Sequence, residues 1–286
     1  EIIDNKIKIN EKIIFKFISD NINGISNVIS KCVIKSSKIF NRIKPDLLIV
    51  LGDRYEILAS VISAHLSKIP VAHIHGGEVT HGVIDDAFRH SITKMSQIHF
   101  TANKTYKKRI TQLGENPNNI FIVGGLGVDS INNTKLFSKD YLVKKFKLKF
   151  NKFNYLVNYH PETLNKISTK NKIKEILSAL TDLKESNIFF TMPGADLENS
   201  IIEKEIKYFI KKKKNAYFYK SLGQTNYYSF LNQMDAMIGN SSSGILEMPY
   251  FNKATINLGN RQSGRAMSNS VVNSNIKKKN ILKSIN

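Results

Sequence analysis

The 286-residue sequence predicts an α/β protein built from two parallel-sheet domains with helices packed on the strands. Three observations predict it. Short apolar runs alternate with longer amphipathic segments along most of the chain. The apolar runs close on polar or glycine-bearing loops, the pattern of strands that end at the carboxyl edge of a parallel sheet. A polar, lysine-rich, weakly patterned stretch over residues 132–152 interrupts the rhythm, which sets the expected domains at 1–132 and 133–286.

Taken in order, residues 1–23 carry mixed apolar positions that define no element. Residues 25–43 place Val28, Ile29, Cys32, Val33, Ile39, Phe40 and Ile43 at helical spacing, a covering helix ended by Pro45. Residues 47–51 read as a strand that closes on Gly52-Asp53-Arg54, followed by an amphipathic helix through Lys68. Pro70 restarts the chain as a second strand, which ends in His73-Ile74-His75-Gly76-Gly77-Glu78. A right-handed crossover sets both loops at one sheet edge, so Asp53, Arg54, His75, Glu78, Asp85 and Asp86 are expected to converge on a crevice. Helix capping accounts for one such aspartate. Six ionisable residues at two adjacent strand ends indicate a site instead. Asp85 and Asp86 open the next helix, with Arg89 and His90 one turn in. A strand at 98–102, a helix at 104–113 and a strand at 120–123 complete what reads as a doubly wound sheet.

The alternation resumes with strands expected at 155–158, 188–191, 216–219, 236–238 and 254–257, and helices at 172–184, 199–211, 227–233 and 244–250. No closing helix is expected in the lysine-rich end of the chain. His160-Pro161-Glu162-Thr163 follows a strand, so His160 projects at a carboxyl edge. A lone histidine there often only satisfies its loop, and a ligand role weighs about equally. Met192-Pro193-Gly194-Ala195-Asp196 closes the next strand and carries little chemistry by itself. Gly239-Asn240-Ser241-Ser242-Ser243-Gly244 joins a strand to a helix, where free backbone N–H groups, hydroxyls and the positive helix end suit a phosphate. One serine cap would need one serine, not three between glycines. Glu247, about one turn further on, suits the hydroxyls of a ribose. Arg261 and Arg265 lie in the loop after the next strand and suit a diphosphate.

The formal net charge of +20 raises nucleic-acid binding. Its distribution argues against it, because only six residues are arginine and the abundant lysines are scattered without interleaved aromatics. The bias fits attraction to anionic substrates. Cys32 is the only cysteine, so no internal disulfide forms and a reducing, cytoplasmic compartment is expected. Its setting is that of a buried helix residue. No apolar run approaches the roughly 18 residues of a membrane span. No metal or cofactor is expected: His73 and His75 alternate along a strand and face opposite ways, and no CxxC, HExxH, P-loop or GxGxxG pattern is present. GxSxG is also missing, which argues against a serine acyl-enzyme.

GDRYE, HIHGGE, IDDAFRHSITK, HPET, GNSSSGILE and NLGNRQSGR, in this order from about Pro45 onward, resemble the UDP-N-acetylglucosamine 2-epimerases, in particular their hydrolysing branch. The resemblance implies a GT-B-like fold, two Rossmann-like domains with the nucleotide sugar between them. It implies removal of the C2 proton with loss of UDP from C1, then hydration of the 2-acetamidoglucal to N-acetylmannosamine. Asp53 and Asp85 match acidic catalytic positions. Arg54, His160, Ser241, Ser242 and Arg261 match nucleotide or phosphate contacts, and Glu247 matches a ribose contact. Ser243, Arg265, Arg89 and His90 join the expected substrate contacts, and His160 also joins the expected catalytic group.

This sequence departs from the family twice. Some members carry Glu where this chain has His75, so either His75 or Glu78 is the second acid/base group; an imidazole suits that work because it titrates near neutrality. The family's first strand and its Arg-bearing loop do not occur ahead of Glu1, so the first domain is expected to be incomplete at its start, with turnover by this chain in question. The resemblance implies a homo-oligomer binding a UDP-sugar, and no nucleic acid or membrane partner. Competing readings are a hydrolysing epimerase of the 2,4-diacetamido analogue (UDP-N,N'-diacetylbacillosamine), a non-hydrolysing epimerase, a GT-B glycosyltransferase and, well behind, a nucleic-acid-binding protein.

Overall fold

The computed structural model describes residues 8–14, 22–80, 84–162, 167–192 and 198–285, which fall into two compact units, Glu1–Gly125 and Leu126–Asn286. Thr163 and residues 193–196, named above at strand ends, lie outside the described residues.

The first unit begins with α1 (Ile22–Ile43), which buries Ile25, Val28, Cys32 and Ser36 on one face. Its end one residue before Lys44, at φ 50°, leaves Pro45 outside the helix. Three strand–helix repeats and a closing strand follow in sequence: β1 (Leu48–Leu51), α2 (Tyr55–Leu66), β2 (Val71–Ile74), α3 (Asp85–Lys94), β3 (Ile98–Thr101), α4 (Lys104–Gln112) and β4 (Ile120–Ile122). The sheet is parallel with order β1-β2-β3-β4. Each step moves to the next strand in the same direction, and right-handed crossovers therefore place α2, α3 and α4 on one face. Val50, His73, His99 and Ile120 stand in register and all are buried. Val50 and Val71 pack there with Val61, Ala64 and Ile92 from the helices. The next row, Leu51, Ile74, Phe100 and Phe121, points the other way, and Leu51 and Phe121 are about half exposed. The double winding expected here is absent from the described strands of this unit, because their order never reverses.

The second unit opens with α5 (Leu126–Asn132), just ahead of the polar stretch expected to mark the boundary, and α6 (Lys139–Phe146), which lies inside that stretch. Ser138 caps α6 by accepting from the Tyr141 N–H, and Ile131 and Leu142 are buried in the core. α5 is only seven residues long and buries one of them, and lysines dilute the apolar positions of α6, so neither shows a clear helical period. The unit boundary thus falls after Gly125, upstream of the residue 132 boundary expected. There follow β5 (Phe153–Asn158), α7 (Thr169–Thr181), β6 (Ser186–Thr191), α8 (Asn199–Lys212), β7 (Ala216–Tyr219), α9 (Gln224–Gln233), β8 (Ala236–Gly239), α10 (Ser243–Leu246), β9 (Ala254–Leu258), β10 (Val271–Ser274) and α11 (Lys278–Ile285).

The second sheet is parallel with order β10-β9-β8-β5-β6-β7. The chain builds outward from β5 through β6 to β7, then returns to β8 and builds the other way. That reversal puts helices on both faces, and two separate cores result. Ile173, Ile176, Phe190, Ile202 and Ile281 pack on one side, and Leu156, Phe189, Phe230 and Met237 on the other. Each such fully buried side chain contributes about 1.5–3 kcal/mol. β10 and α11 were missed by the sequence reading, which expected no closing helix. Val271 and Val272 form a short edge strand, and α11 buries a single residue, Ile281, so neither leaves a strong periodic signal.

Candidate active site

In the first unit β2 ends at Ile74 and the chain turns at once, with His75 at φ 65° and Gly77 at φ 75°. A Cβ on Gly77 would lie 2.5 Å from the Tyr106 carbonyl oxygen, so the second glycine of HIHGGE is a steric requirement. The turn aims Glu78 back at His75, whose Nδ1 lies 2.7 Å from Glu78 Oε1.

Arg89 is the hub of this cluster. It sits in the second turn of α3, whose first turn holds Asp85 and Asp86, and it is 3% exposed. Its guanidinium donates to Asp53 Oδ2, to the Thr80 hydroxyl at 3.2 Å and to the His75 carbonyl at 3.0 Å. Glu78 Oε2 lies 3.8 Å from the same group. A buried cation between two carboxylates allows both to stay close without mutual repulsion. Asp86 accepts from the Thr80 N–H at 2.6 Å and lies 3.8 Å from His90 Nε2. Burial is the main cause that lowers the His90 pKa. Arg54 pairs with Glu56 at 3.2 and 3.3 Å and lies over the Tyr55 ring. The structure thus brings Asp53, His75, Glu78 and Arg89 together, with Asp85, Asp86 and His90 on the adjoining helix. Arg89, expected as a substrate contact, bonds to protein groups.

His73 was overlooked as a supporting residue, although its alternation with His75 already turned it inward. It is fully buried, with Nε2 2.8 Å from the Gly52 carbonyl and Nδ1 3.2 Å from the Thr93 hydroxyl. Thr93 in turn donates to the Arg89 carbonyl at 3.0 Å, so β2, the Gly52-Asp53 turn and α3 are tied through one imidazole. Burial pushes the His73 pKa down to about 4. Between that value and the ordinary 6.5 the unfolded chain binds a proton that the folded one does not. The first unit is therefore expected to lose stability as pH falls from about 6.5 toward about 4, by up to roughly 1.4 kcal/mol per pH unit from this group. Denaturant midpoints across that range check it. In His73→Gln the slope should flatten, and an unchanged slope contradicts the assignment.

In the second unit the reversal between β5 and β8 is the place where open α/β sheets hold ligands. His160 follows β5 and Asn240 follows β8. Asn240 is completely buried: its Oδ1 accepts from the His160 N–H at 2.6 Å and its Nδ2 donates to the His160 carbonyl at 2.9 Å. The Asn240 carbonyl accepts from Arg261 Nη1 at 3.1 Å and from Gln262 Nε2 at 2.7 Å. One asparagine thereby joins three of the motifs. Glu162, the third residue of HPE, accepts from the Asn260 N–H at 2.9 Å and pairs with the buried Lys172. Asn240, Glu162, Lys172 and Gln262 carried no role in the sequence reading. Only the position of Glu162 beside His160 hinted at one.

Ser241 is buried, and its hydroxyl accepts weakly from the Ser243 N–H at 3.4 Å. Ser242 and Ser243 are half-buried, as are Arg261 and Arg265. α10 is only a single turn, so individual N–H groups and hydroxyls, rather than a long helix dipole, form any anion cradle here. Glu247 closes α10. Its Oε2 is shielded from solvent with no hydrogen-bond partner, and burial raises its pKa. The Tyr227 hydroxyl is likewise shielded from solvent and faces Ser243. A Cβ on Gly127 of α5 would lie 3.2 Å from Glu247 Oε1. Among the described residues no group of three or more His, Cys, Asp or Glu is placed to hold a metal, and no helix is long and apolar enough to cross a membrane.

The molecule is thus a protein of two parallel-sheet α/β units, with an acid–base cluster at strand ends of the first and serine and arginine loops at the switch point of the second. A family model described as UDP-N-acetylglucosamine 2-epimerase matches residues 1–286, and the chain belongs to that family. It is 40% identical to the GDP/UDP-N,N'-diacetylbacillosamine 2-epimerase (hydrolyzing) of Campylobacter jejuni over 96% of this chain and 72% of that protein. It is 39% identical to the polysialic acid biosynthesis protein P7 of Escherichia coli over 96% of this chain and 71% of that one. The crystal structure of UDP-GlcNAc 2-epimerase from Neisseria meningitidis bound to UDP-GlcNAc matches with a TM-score of 0.82 at 17% identity, covering 99% of this chain and 78% of that one. At that identity the match speaks for the fold, which is GT-B-like.

Proposed function

We propose that this chain is a hydrolysing 2-epimerase that converts a UDP-linked 2-acetamido sugar to the free manno-configured sugar and UDP. The observation that carries the reading is the Arg89-centred cluster, which holds Asp53, His75 and Glu78 together at two strand ends in a chain of the 2-epimerase family. The reaction needs a base to take the C2 proton as the C1–O bond breaks and UDP departs with its electron pair. It then needs water at C1 and a proton delivered to C2 from the opposite face. Asp53, Asp85, His75 and Glu78 are the first unit's groups for that work.

The second unit holds the nucleotide in this reading. Arg261, Arg265 and Ser241 to Ser243 take the diphosphate and oppose the charge that develops as it leaves, with His160 beside them. The unpartnered, shielded Glu247 Oε2 suits a ribose hydroxyl, because a buried acceptor without a donor costs free energy until a ligand supplies one.

The sequence favoured UDP-N-acetylglucosamine as substrate. The 40% identity to a hydrolysing diacetylbacillosamine 2-epimerase supports the 2,4-diacetamido analogue, and we take that as the first substrate to try. A relative of Neisseria meningitidis named UDP-N-acetylglucosamine 2-epimerase, 31% identical over 93% of this chain, keeps UDP-N-acetylglucosamine as the second. Incubation with each nucleotide sugar, reading UDP and the sugar product, is expected to yield UDP and a free manno sugar from one of them. A UDP-manno sugar with no net UDP release would make the enzyme non-hydrolysing. Release of UDP only with an added acceptor would make it a glycosyltransferase.

A further inference from the structure

We infer that His75 and Glu78 work as one dyad, with His75 Nε2 as the catalytic base and Glu78 as the positioning residue that sets its tautomer and direction. The inference rests on the proposed epimerase reading and goes beyond it, because the sequence left the two residues as alternatives. The hydrogen bond between Nδ1 and Glu78 Oε1 is 2.7 Å long. Arg89 Nη1 lies 3.8 Å from Oε2, so the carboxylate has a guanidinium on one side and the imidazole on the other. Nδ1 therefore carries the proton, and in the neutral ring the lone pair sits on Nε2, the nitrogen without a partner among the described residues. Exposure divides the roles in the same way. The His75 side chain is 17% exposed and that of Glu78 only 5%, so the imidazole alone of the two is open to a ligand.

The backbone enforces this direction. His75 holds φ at 65°, its N–H donates to the Phe100 carbonyl at 2.9 Å, and its carbonyl accepts from Arg89 at 3.0 Å. A histidine in the left-handed region, pinned on both sides, stores local strain of the kind found where a side chain must be aimed. In the reaction the C2–H bond breaks, the proton passes to Nε2, its electron pair forms the C1–C2 double bond, and UDP leaves C1 with the bonding pair. The Nδ1–H bond to Glu78 stabilises the imidazolium so formed, the role a carboxylate plays behind a histidine base in general.

The test uses His75→Asn, which tolerates the left-handed backbone, and Glu78→Leu, which removes the acceptor; both are assayed for kcat and UDP affinity, and the nitrogen-15 shifts of the His75 ring are read in the unmodified protein and in Glu78→Leu. In the unmodified protein the spectrum should show Nδ1 protonated and Nε2 bare. His75→Asn is expected to lower kcat by about 100-fold or more, with UDP affinity changed less than about threefold. Glu78→Leu, which leaves no acceptor at Nδ1, should lower kcat by about tenfold or more without raising KM comparably and should abolish the preference for Nδ1–H. A kcat above one tenth of the parent in His75→Asn overturns the base assignment. An unchanged tautomer in Glu78→Leu overturns the positioning role. Absence of turnover from every nucleotide sugar in the unmodified protein would count against the epimerase reading instead, and the tautomer readout would still decide the dyad.

Discussion

Gly239→Ala is expected to destabilise the second unit by at least about 3 kcal/mol, combining backbone strain with a clash that cannot relax. Gly239 has φ 152°, and a Cβ there would lie 1.9 Å from the Asn158 carbonyl oxygen, an atom of the neighbouring central strand. Relief would require β5 and β8 to part at the level of His160 and Asn240, so UDP affinity should fall along with stability. Gly223→Ala is the control. Its φ is 69° but no atom lies within 4 Å of the added Cβ, so it should cost only the left-handed penalty of about 1–2 kcal/mol. Denaturant unfolding of both variants checks the comparison, and equal losses would contradict it.

Lys172→Met is expected to cost about 3–5 kcal/mol, the penalty for leaving one member of a buried ion pair alone. The Lys172 and Glu162 side chains are 5% and 3% exposed, so water cannot replace the missing partner. Glu162 also holds the Asn260 N–H, next to Arg261. The double variant Glu162→Gln/Lys172→Met keeps an acceptor for that N–H and removes the stranded charge, and it should recover much of the loss. A double variant less stable than Lys172→Met would show that packing, not charge, dominates. The single variant should also weaken UDP binding through the Arg261 loop.

These two sites mark what the sequence did and did not reveal. The strands and most helices were legible because their apolar spacing is regular and their ends carry proline, glycine or capping residues. Pro45 and Pro70 fixed two boundaries to within a few residues. α5, α6 and α11 were not legible, since each is at most eight residues long and buries a single residue, with lysines filling much of α6 and α11. The motif residues named from the sequence stand at strand ends or on the helices and loops that follow, because an apolar run closing on charged residues is a local pattern. The residues that hold them were invisible for a different reason. Asn240 grips a backbone 80 positions earlier in the chain, and Arg89 reaches back 36 to Asp53. Such partners are set by strand order, and the order in the second sheet reverses at a point that no local pattern announces. The choice between His75 and Glu78 likewise turned on burial and on a left-handed backbone, neither of which a letter sequence states.

The most direct measurement is turnover of the diacetamido and N-acetylglucosamine nucleotide sugars in deuterium oxide, with the C2 position of the free sugar read by proton NMR. The account predicts UDP release together with a manno-configured product carrying deuterium at C2. Release of UDP with the original hydrogen retained at C2 would contradict it, since no base would then have acted on that carbon.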